Sequence, residues 1–412
     1  MLREDTIKIY TEAIRENLPD SAVFAALENF ECPNGRLILV AIGKAAWQMT
    51  SAAYSVLGEK IDTGVVITKY GHSKGSIGNI EIYEAGHPVP DEAGLLATRR
   101  ALEITEGLTE RDTVLFLVSG GGSALFESVD CPLSELARLT SDMLASGASI
   151  EEMNTVRKHI SNVKGGKFAE HCAPGSVYAI VLSDIIGSPL DMIASGPAVS
   201  DPTTAEDALT VVAEYGLSLS ESLSEIIKRE TPKSLSNSTH TVSGSVEQLC
   251  ESAGRAAEGL GYKTVLLTAS LDCEASEAGA FLGAVAAHNK DTSEPLAFIA
   301  GGETVVHLRG KGRGGRNQEL ALSAARYISG LDNVAVFSVG SDGTDGPTDA
   351  AGGYVDGTTY ELIAERSGRS VESYLMDNDA YNALSFSDGL IFTGATGTNV
   401  NDFAAVLIRP KK

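Results

Sequence analysis

The 412-residue sequence predicts a two-domain α/β protein. Its N-terminal sheet is expected to be mostly parallel, its C-terminal sheet mixed, and its active site to lie in the cleft between domains. Three observations lead there. Short β-branched runs alternate with helical stretches, a serine-rich break interrupts the middle, and small-residue turns recur at strand ends. The length also exceeds what one hydrophobic core usually supports, roughly 250–300 residues.

In chain order, "RLILVAI" (36–42), "GVVITK" (64–69), "IEIYEA" (80–85), "TVLFLV" (113–118) and "SVYAIVLSD" (176–184) read as strands. Helical patterns fall around 44–57, 91–107 and 133–164. Strands separated by helices build parallel sheets covered on both faces. From 216 to 245 the composition turns serine-rich and loses its long apolar runs, which sets domains of 1–235 and 236–412. The alternation then resumes with a helix from 246, "KTVLLT", a helix from 272, "LAFIA", "TVVHLR", a helix from 316, "VAVFSV", "LIFTG" and "AAVLIR". "LAFIAGGETVVHLR" reads as a hairpin turning at Gly301–Gly302, hence the mixed sheet.

Composition excludes several classes. With 43% hydrophobic and 21% charged residues, disorder is not the default. A net charge of −23 opposes non-specific nucleic-acid binding, which needs Lys and Arg to neutralise phosphates. Five cysteines without a Cys-x-x-Cys pair fit neither a disulfide framework nor a structural zinc site, and suit a reducing compartment. The N-terminus is charged throughout, and no apolar run approaches the ~18 residues of a membrane helix. A cytoplasmic protein without membrane or nucleic-acid partners is expected.

The chemistry begins at "VLFLVSGGGSALFE" (114–127), a strand running into Ser119, Gly120, Gly121, Gly122 and Ser123. Standard patterns fail there. A Walker A loop lacks its Gly-Lys, the dinucleotide fingerprint meets Leu125 in place of its third glycine, and neither serine fits a nucleophile elbow. "RGKGRGGR" (309–316) packs four cations and four glycines into eight residues, which suits either anionic oxygens or a solvated loop end. "GSDGTDGPTD" carries Asp342, Asp345 and Asp349 at a strand end, as Mg²⁺ ligands or as turn formers. Lys44, where a strand meets a helix, can add charge to an anion site. His87 and His159 have no zinc-type spacing, and His159 reads equally as surface or cleft. Together these parts describe anion handling of the kind phosphoryl transfer needs.

Six strings then carry a resemblance: "SGGGSALFE", "NTVRKHISNVKGGK", "SDIIGSPLDMIASGPAVSDPTT", "GGETVVHLRGKGRGGRNQELALSAA", "GSDGTDGPTDAAGG" and "TGATGTNVND". In this order, roughly from Gly43 to Asp402, they resemble the glycerate 2-kinase family, whose C-terminal half is the MOFRL domain. The resemblance implies two Rossmann-like three-layer domains and transfer of the ATP γ-phosphate to the 2-hydroxyl of D-glycerate, with Mg²⁺. It places the family's active-site lysine at Lys44 and its arginine at Arg316. Asp184 and Asp191 remain as further candidates, although Ile185-Ile186-Gly187 departs from the family's usual stretch there. The expected site is thus Lys44, Arg316 and Asp184 for catalysis, Ser119 to Ser123 for nucleotide, and Asp191, Asp342 and Asp345 for metal. A homodimer fits a chain of this kind, though no residue pattern fixes one. The competing readings are a hydroxypyruvate reductase and a non-catalytic nucleotide-binding protein.

Overall fold

The structure is a computed structural model that describes residues 1–183 and 189–411. Six strands form the first sheet: β1 (Leu37–Ile42), β2 (Thr63–Lys69), β3 (Ile80–Ala85), β4 (Thr113–Val118), β5 (Ser176–Val181) and β6 (Ser238–Val242). Their order is β3-β2-β1-β4-β5-β6, and every neighbouring pair is parallel. Every residue of β1 is buried, because strands at the centre of a sheet covered on both faces need unbroken apolar runs. The chain builds outward from β1 through β2 to β3, then returns to lay β4 on the other side of β1. That reversal opens a crevice at the carboxyl ends of β1 and β4, where sheets of this order take their ligands.

The second sheet holds β7 (Lys263–Leu271), β8 (Leu296–Gly302), β9 (Val334–Gly340), β10 (Gly352–Asp356), β11 (Leu390–Ile391) and β12 (Asp402–Ile408), ordered β11-β10-β9-β12-β8-β7. Only β7–β8 is parallel among its pairs, so the sheet is mixed as expected. Adjacent residues of β8 face opposite sides. Ala300 joins the core of helices Ala275–His288 and Arg316–Ile328, whereas a Cβ on Gly301 would strike Cys250 of helix Val246–Gly259 at 2.3 Å.

The expected hairpin is absent. β12 occupies one side of β8 and β7 the other, so the following chain finds no free edge and Val305 makes only an isolated bridge with Glu274. Gly301 and Gly302 are close-approach positions within β8 and not turn residues. Two strands went unread. β6 is "STHTV", a polar edge strand inside the serine-rich stretch, and β10 is "GGYVD", whose Gly352 leaves room for the Ser338 carbonyl.

The chain packs into two compact units. One runs from Ala22 through Ser183 and on to Ser243, and the other joins Met1–Ser21 to the chain from Gly244 onward. This division differs from 1–235 and 236–412 at two places, since β6 pairs with β5 and the opening helix, Leu2–Glu16, lies with the second sheet. Charge and hydrogen bonding explain the helix. Buried Asp5 accepts from Tyr262 Oη at 2.7 Å and from Arg409 Nη2 at 2.9 Å, and Asn17 donates to Ser252 Oγ at 3.1 Å. Asp5→Ala strands the Tyr262 hydroxyl and half-buried Arg409, so it should destabilise this unit by about 2 kcal/mol. Thermal unfolding followed by circular dichroism tests this, with Asp5→Asn expected to lose less.

Candidate functional site

Site geometry starts with a clasp between the turns after β1 and β4. Gly43 leaves β1 at φ +111°, and a Cβ there would sit 2.3 Å from the Ser119 carbonyl oxygen, so only glycine lets the turns close. Across the contact, Lys44 N–H donates to Gly120 O at 2.9 Å and Ala45 N–H to Ser119 Oγ at 3.1 Å. Ser119 N–H donates back to Ile42 O at 3.0 Å. Ser119 is buried, so its side chain serves the clasp and not the open face of the loop. The N–H groups of Gly120, Gly121 and Ser123 have no protein acceptor among the described residues, and exposed Lys44 stands beside them.

Gly121 adopts φ +88°, and a Cβ on it would approach His87 Cδ2 to 2.9 Å and Lys44 Cγ to 3.4 Å. The crevice therefore gathers Lys44, His87 and the glycine loop. His72 adds Nδ1 at 3.0 Å from Lys44 O. Burial, and then the charges of Lys44, Lys69 and His72, hold the His87 imidazole below its usual pKa. A neutral His87 leaves Lys44 as the cation nearest the loop.

Below the loop lies a polar network that sequence reasoning missed. Ser123 Oγ is 3.0 Å from Ser195 Oγ, which donates to Asn154 Oδ1 at 2.8 Å. Asn154 and Lys158 stand four apart on helix Ile150–Ile160, and so share a face. Lys158, buried, donates to Asp191 at 2.8 Å and to Asp201 at 3.3 Å. Asp191 keeps one carboxylate oxygen without a protein hydrogen bond among the described residues. Ala194 and Ser195 take φ +51° and +60°, a strained geometry for non-glycine residues that costs about 1–3 kcal/mol each. The i, i+4 spacing of Asn154 and Lys158 was the one available signal; nothing marked Ser195. His159 proves buried, with Nδ1 at 2.9 Å from Thr155 O.

The second unit positions Arg316 at the start of helix Arg316–Ile328. Its Nε and Nη2 donate to Asp402, and its Nη1 to Glu303 Oε1 at 2.6 Å. Burial opposes the charge, but Asp402 and Glu303 more than offset it and raise the guanidinium's pKa. Two of its five N–H groups remain for a ligand. Asp345 is committed elsewhere: its oxygens accept the amides of Asn317 at 3.1 Å and Gln318 at 2.9 Å, capping the helix, and burial pushes its carboxyl up to about 6. Asp342 uses Oδ1 for Thr344 N–H at 2.9 Å, and its other oxygen has no hydrogen bond among the described residues. Among the described residues no three His, Cys, Asp or Glu side chains converge as a metal site, and Asp184 lies outside those residues.

The basic loop also gains a structural explanation. Cβ atoms on Gly310 and Gly312 would come within 2.3 Å of Asp377 O and Asp379 Cβ, so these glycines let the backbone lie against 377–379. Asn378 Oδ1 accepts from Arg309 and Gly310 N–H at 2.7 and 3.0 Å. Arg309 pairs with Glu274, and Arg313 stacks on Tyr381 at 4.2 Å. The loop's glycines and two of its arginines thus have structural contacts of their own.

A family described as a domain of unknown function, DUF4147, matches residues 5–228, and the MOFRL family matches residues 296–402. The chain is 53% identical to a protein named D-glycerate 2-kinase from Thermotoga maritima, over 99% of this chain and 98% of that one. It is 37% identical to a putative hydroxypyruvate reductase of Agrobacterium vitis, over 97% and 93%. A crystal structure of glycerate kinase from Thermotoga maritima superposes with a TM-score of 0.94 at 52% identity, covering 99% of each chain.

The crevice makes a test independent of turnover. Lys44→Met removes one of the charges that depress His87, so the His87 midpoint should move upward while burial keeps it below the usual value. Proton NMR titration of the His87 ring reads this directly; an unmoved midpoint would separate Lys44 from the crevice electrostatics.

Proposed function

The chain belongs to the glycerate 2-kinase family, and we propose that it transfers the γ-phosphate of ATP to the 2-hydroxyl of D-glycerate, giving 2-phosphoglycerate and ADP. The observation that carries this reading is the β1–β4 crevice, where three N–H groups without an acceptor among the described residues meet Lys44 at the ligand position of a parallel sheet. Backbone donors in the glycine loop hold nucleotide phosphates, and Lys44 adds a point charge that the loop lacks. Arg316, braced by Asp402 and Glu303, offers its two remaining N–H groups to anionic oxygens of the phosphoryl group or of the glycerate carboxylate. Phosphoryl transfer asks for this kind of positioning and charge stabilisation more than for covalent chemistry.

Mg²⁺ suits the donor set. With nucleotides it takes one or two carboxylates together with phosphate oxygens, so a three-carboxylate cluster is not required. Among the described residues, Asp191 in the first unit and Asp342 in the second each retain an oxygen, and either one would suit it, whereas both oxygens of Asp345 accept amides. Bound there, the ion would supply charge neutralisation at the phosphates.

The name hydroxypyruvate reductase, carried by the Agrobacterium vitis relative, invites a nicotinamide reading. A dinucleotide lays its pyrophosphate on the amides of the turn after the first strand. In this chain the Lys44 and Ala45 amides are already bonded to Gly120 and Ser119. The kinase reading is preferred on that ground.

ADP release from ATP and D-glycerate, with ³¹P NMR of the product, tests the reaction and the position phosphorylated. Lys44→Ala and Arg316→Ala should each lower kcat by roughly 10²-fold or more. Near-normal turnover in both variants would remove their roles, and NADH oxidation by hydroxypyruvate would revive the reductase.

A further inference from the structure

The least expected feature of the first unit is a pair of consecutive left-handed, non-glycine residues beneath the glycine loop. Ala194 and Ser195 are buried at φ +51° and +60°, where glycine would sit without strain. Both touch the loop. A Cβ on Gly122 would lie 2.7 Å from Ala194 Cβ, and Ser195 Oγ lies 3.0 Å from Ser123 Oγ. Their backbone is pinned from the far side, since Gly165 N–H donates to Ser195 O at 3.0 Å and Gly166 N–H to Gly196 O at 2.7 Å.

Hydrogen-bond polarity runs one way through this network. A hydroxyl has a single proton, and Ser195 gives its own to Asn154 Oδ1 at 2.8 Å. Ser195 Oγ must therefore accept from Ser123, whose proton is drawn inward, away from the open face of the loop. Asn154 is itself buried on helix Ile150–Ile160, with its amide nitrogen 3.8 Å from Met192 Sδ. A buried relay from a rigid helix, through a strained residue, to one loop hydroxyl fixes where that loop stands.

We propose that Ser195 is a positioning residue for the nucleotide, acting through Ser123 and supported by Asn154. Ser195 does not itself meet the ligand. It holds Ser123 and the floor of the loop so that the Gly120, Gly121 and Ser123 amides converge, and its left-handed backbone is the geometry that brings its hydroxyl there. This inference rests on the reading of the glycine loop as the nucleotide cradle.

The test is a double-mutant cycle on the full chain, with ATP binding measured by calorimetry in the absence of glycerate. Ser195→Ala should weaken ATP roughly tenfold, as losing a hydrogen-bonded anchor does. The KM for D-glycerate should change far less. In a Ser123→Ala background the Ser195→Ala substitution should add nothing, because its route to the ligand is gone. Unchanged ATP affinity in Ser195→Ala, or additive losses in the double variant, overturns the proposal. Should Ser195→Ala fold poorly, Asn154→Leu replaces it; a several-fold loss of ATP affinity supports the relay and an unaltered affinity overturns it. ATP binding indifferent to both Ser123→Ala and Gly121→Ala overturns the cradle reading as well, which separates the two failures.

Discussion

The clasp between β1 and β4 is the contact on which the candidate site depends. Parallel strands end with carbonyls and amides that have lost their ladder partners, and buried groups of that kind must be satisfied. Here the two ends satisfy one another through Lys44 N–H to Gly120 O, Ala45 N–H to Ser119 Oγ and Ser119 N–H to Ile42 O. Gly43 makes the approach possible, because any side chain at φ +111° would strike the Ser119 carbonyl. One consequence is that the Lys44 and Ala45 amides of the first turn are already engaged. The other is that Lys44 is held beside a loop that contains no cation of its own.

Charge is distributed economically in a chain of net charge −23. Several site cations are matched to carboxylates: Lys158 to Asp191 and Asp201, Arg316 to Asp402 and Glu303, Arg309 to Glu274. Lys44 differs, being exposed and standing near His87, whose pKa burial lowers first and the charges of Lys44, Lys69 and His72 lower further. A paired arginine offers fixed geometry with spare N–H groups, whereas a lone lysine offers a mobile point charge.

Besides Ala194 and Ser195, left-handed backbone at non-glycine residues occurs at Asp388, whose carbonyl accepts from Arg3, and at two asparagines: Asn378, beneath the basic loop, and Asn401, next to the partner of Arg316. At both asparagines the side chain's hydrogen bond gives the strain a use. Asn378 Oδ1 holds two loop amides, and Asn401 Nδ2 holds Glu303 at 3.2 Å. Asparagine tolerates this conformation better than alanine or serine, which makes the pair at 194–195 the more exacting case.

The sequence by itself determined the parts whose physics is local. Unbroken apolar runs such as "LILVAI", "TVLFLV" and "VAVFSV" had to be strands buried on both faces, and the glycine turns after them had to be close-approach points. The family strings identified the activity and made Lys44 and Arg316 the candidates for it. The edge strand β6 escaped notice because its polar ladder, "STHTV", carries no burial pattern, and because the backbone hydrogen bonds that made it a strand come from β5. The hairpin after β8 was misread for the same reason, since only the completed sheet shows that β12 has taken the vacant side. Asp345 read as a metal ligand until the helix amides it caps were in view. The opening helix joined the second sheet through Asp5, Tyr262 and Arg409, partners hundreds of residues apart in sequence. Ser195 became visible only once the chain was folded, because its importance lies in a backbone angle and two hydroxyl contacts, and neither leaves a mark on residue type or spacing.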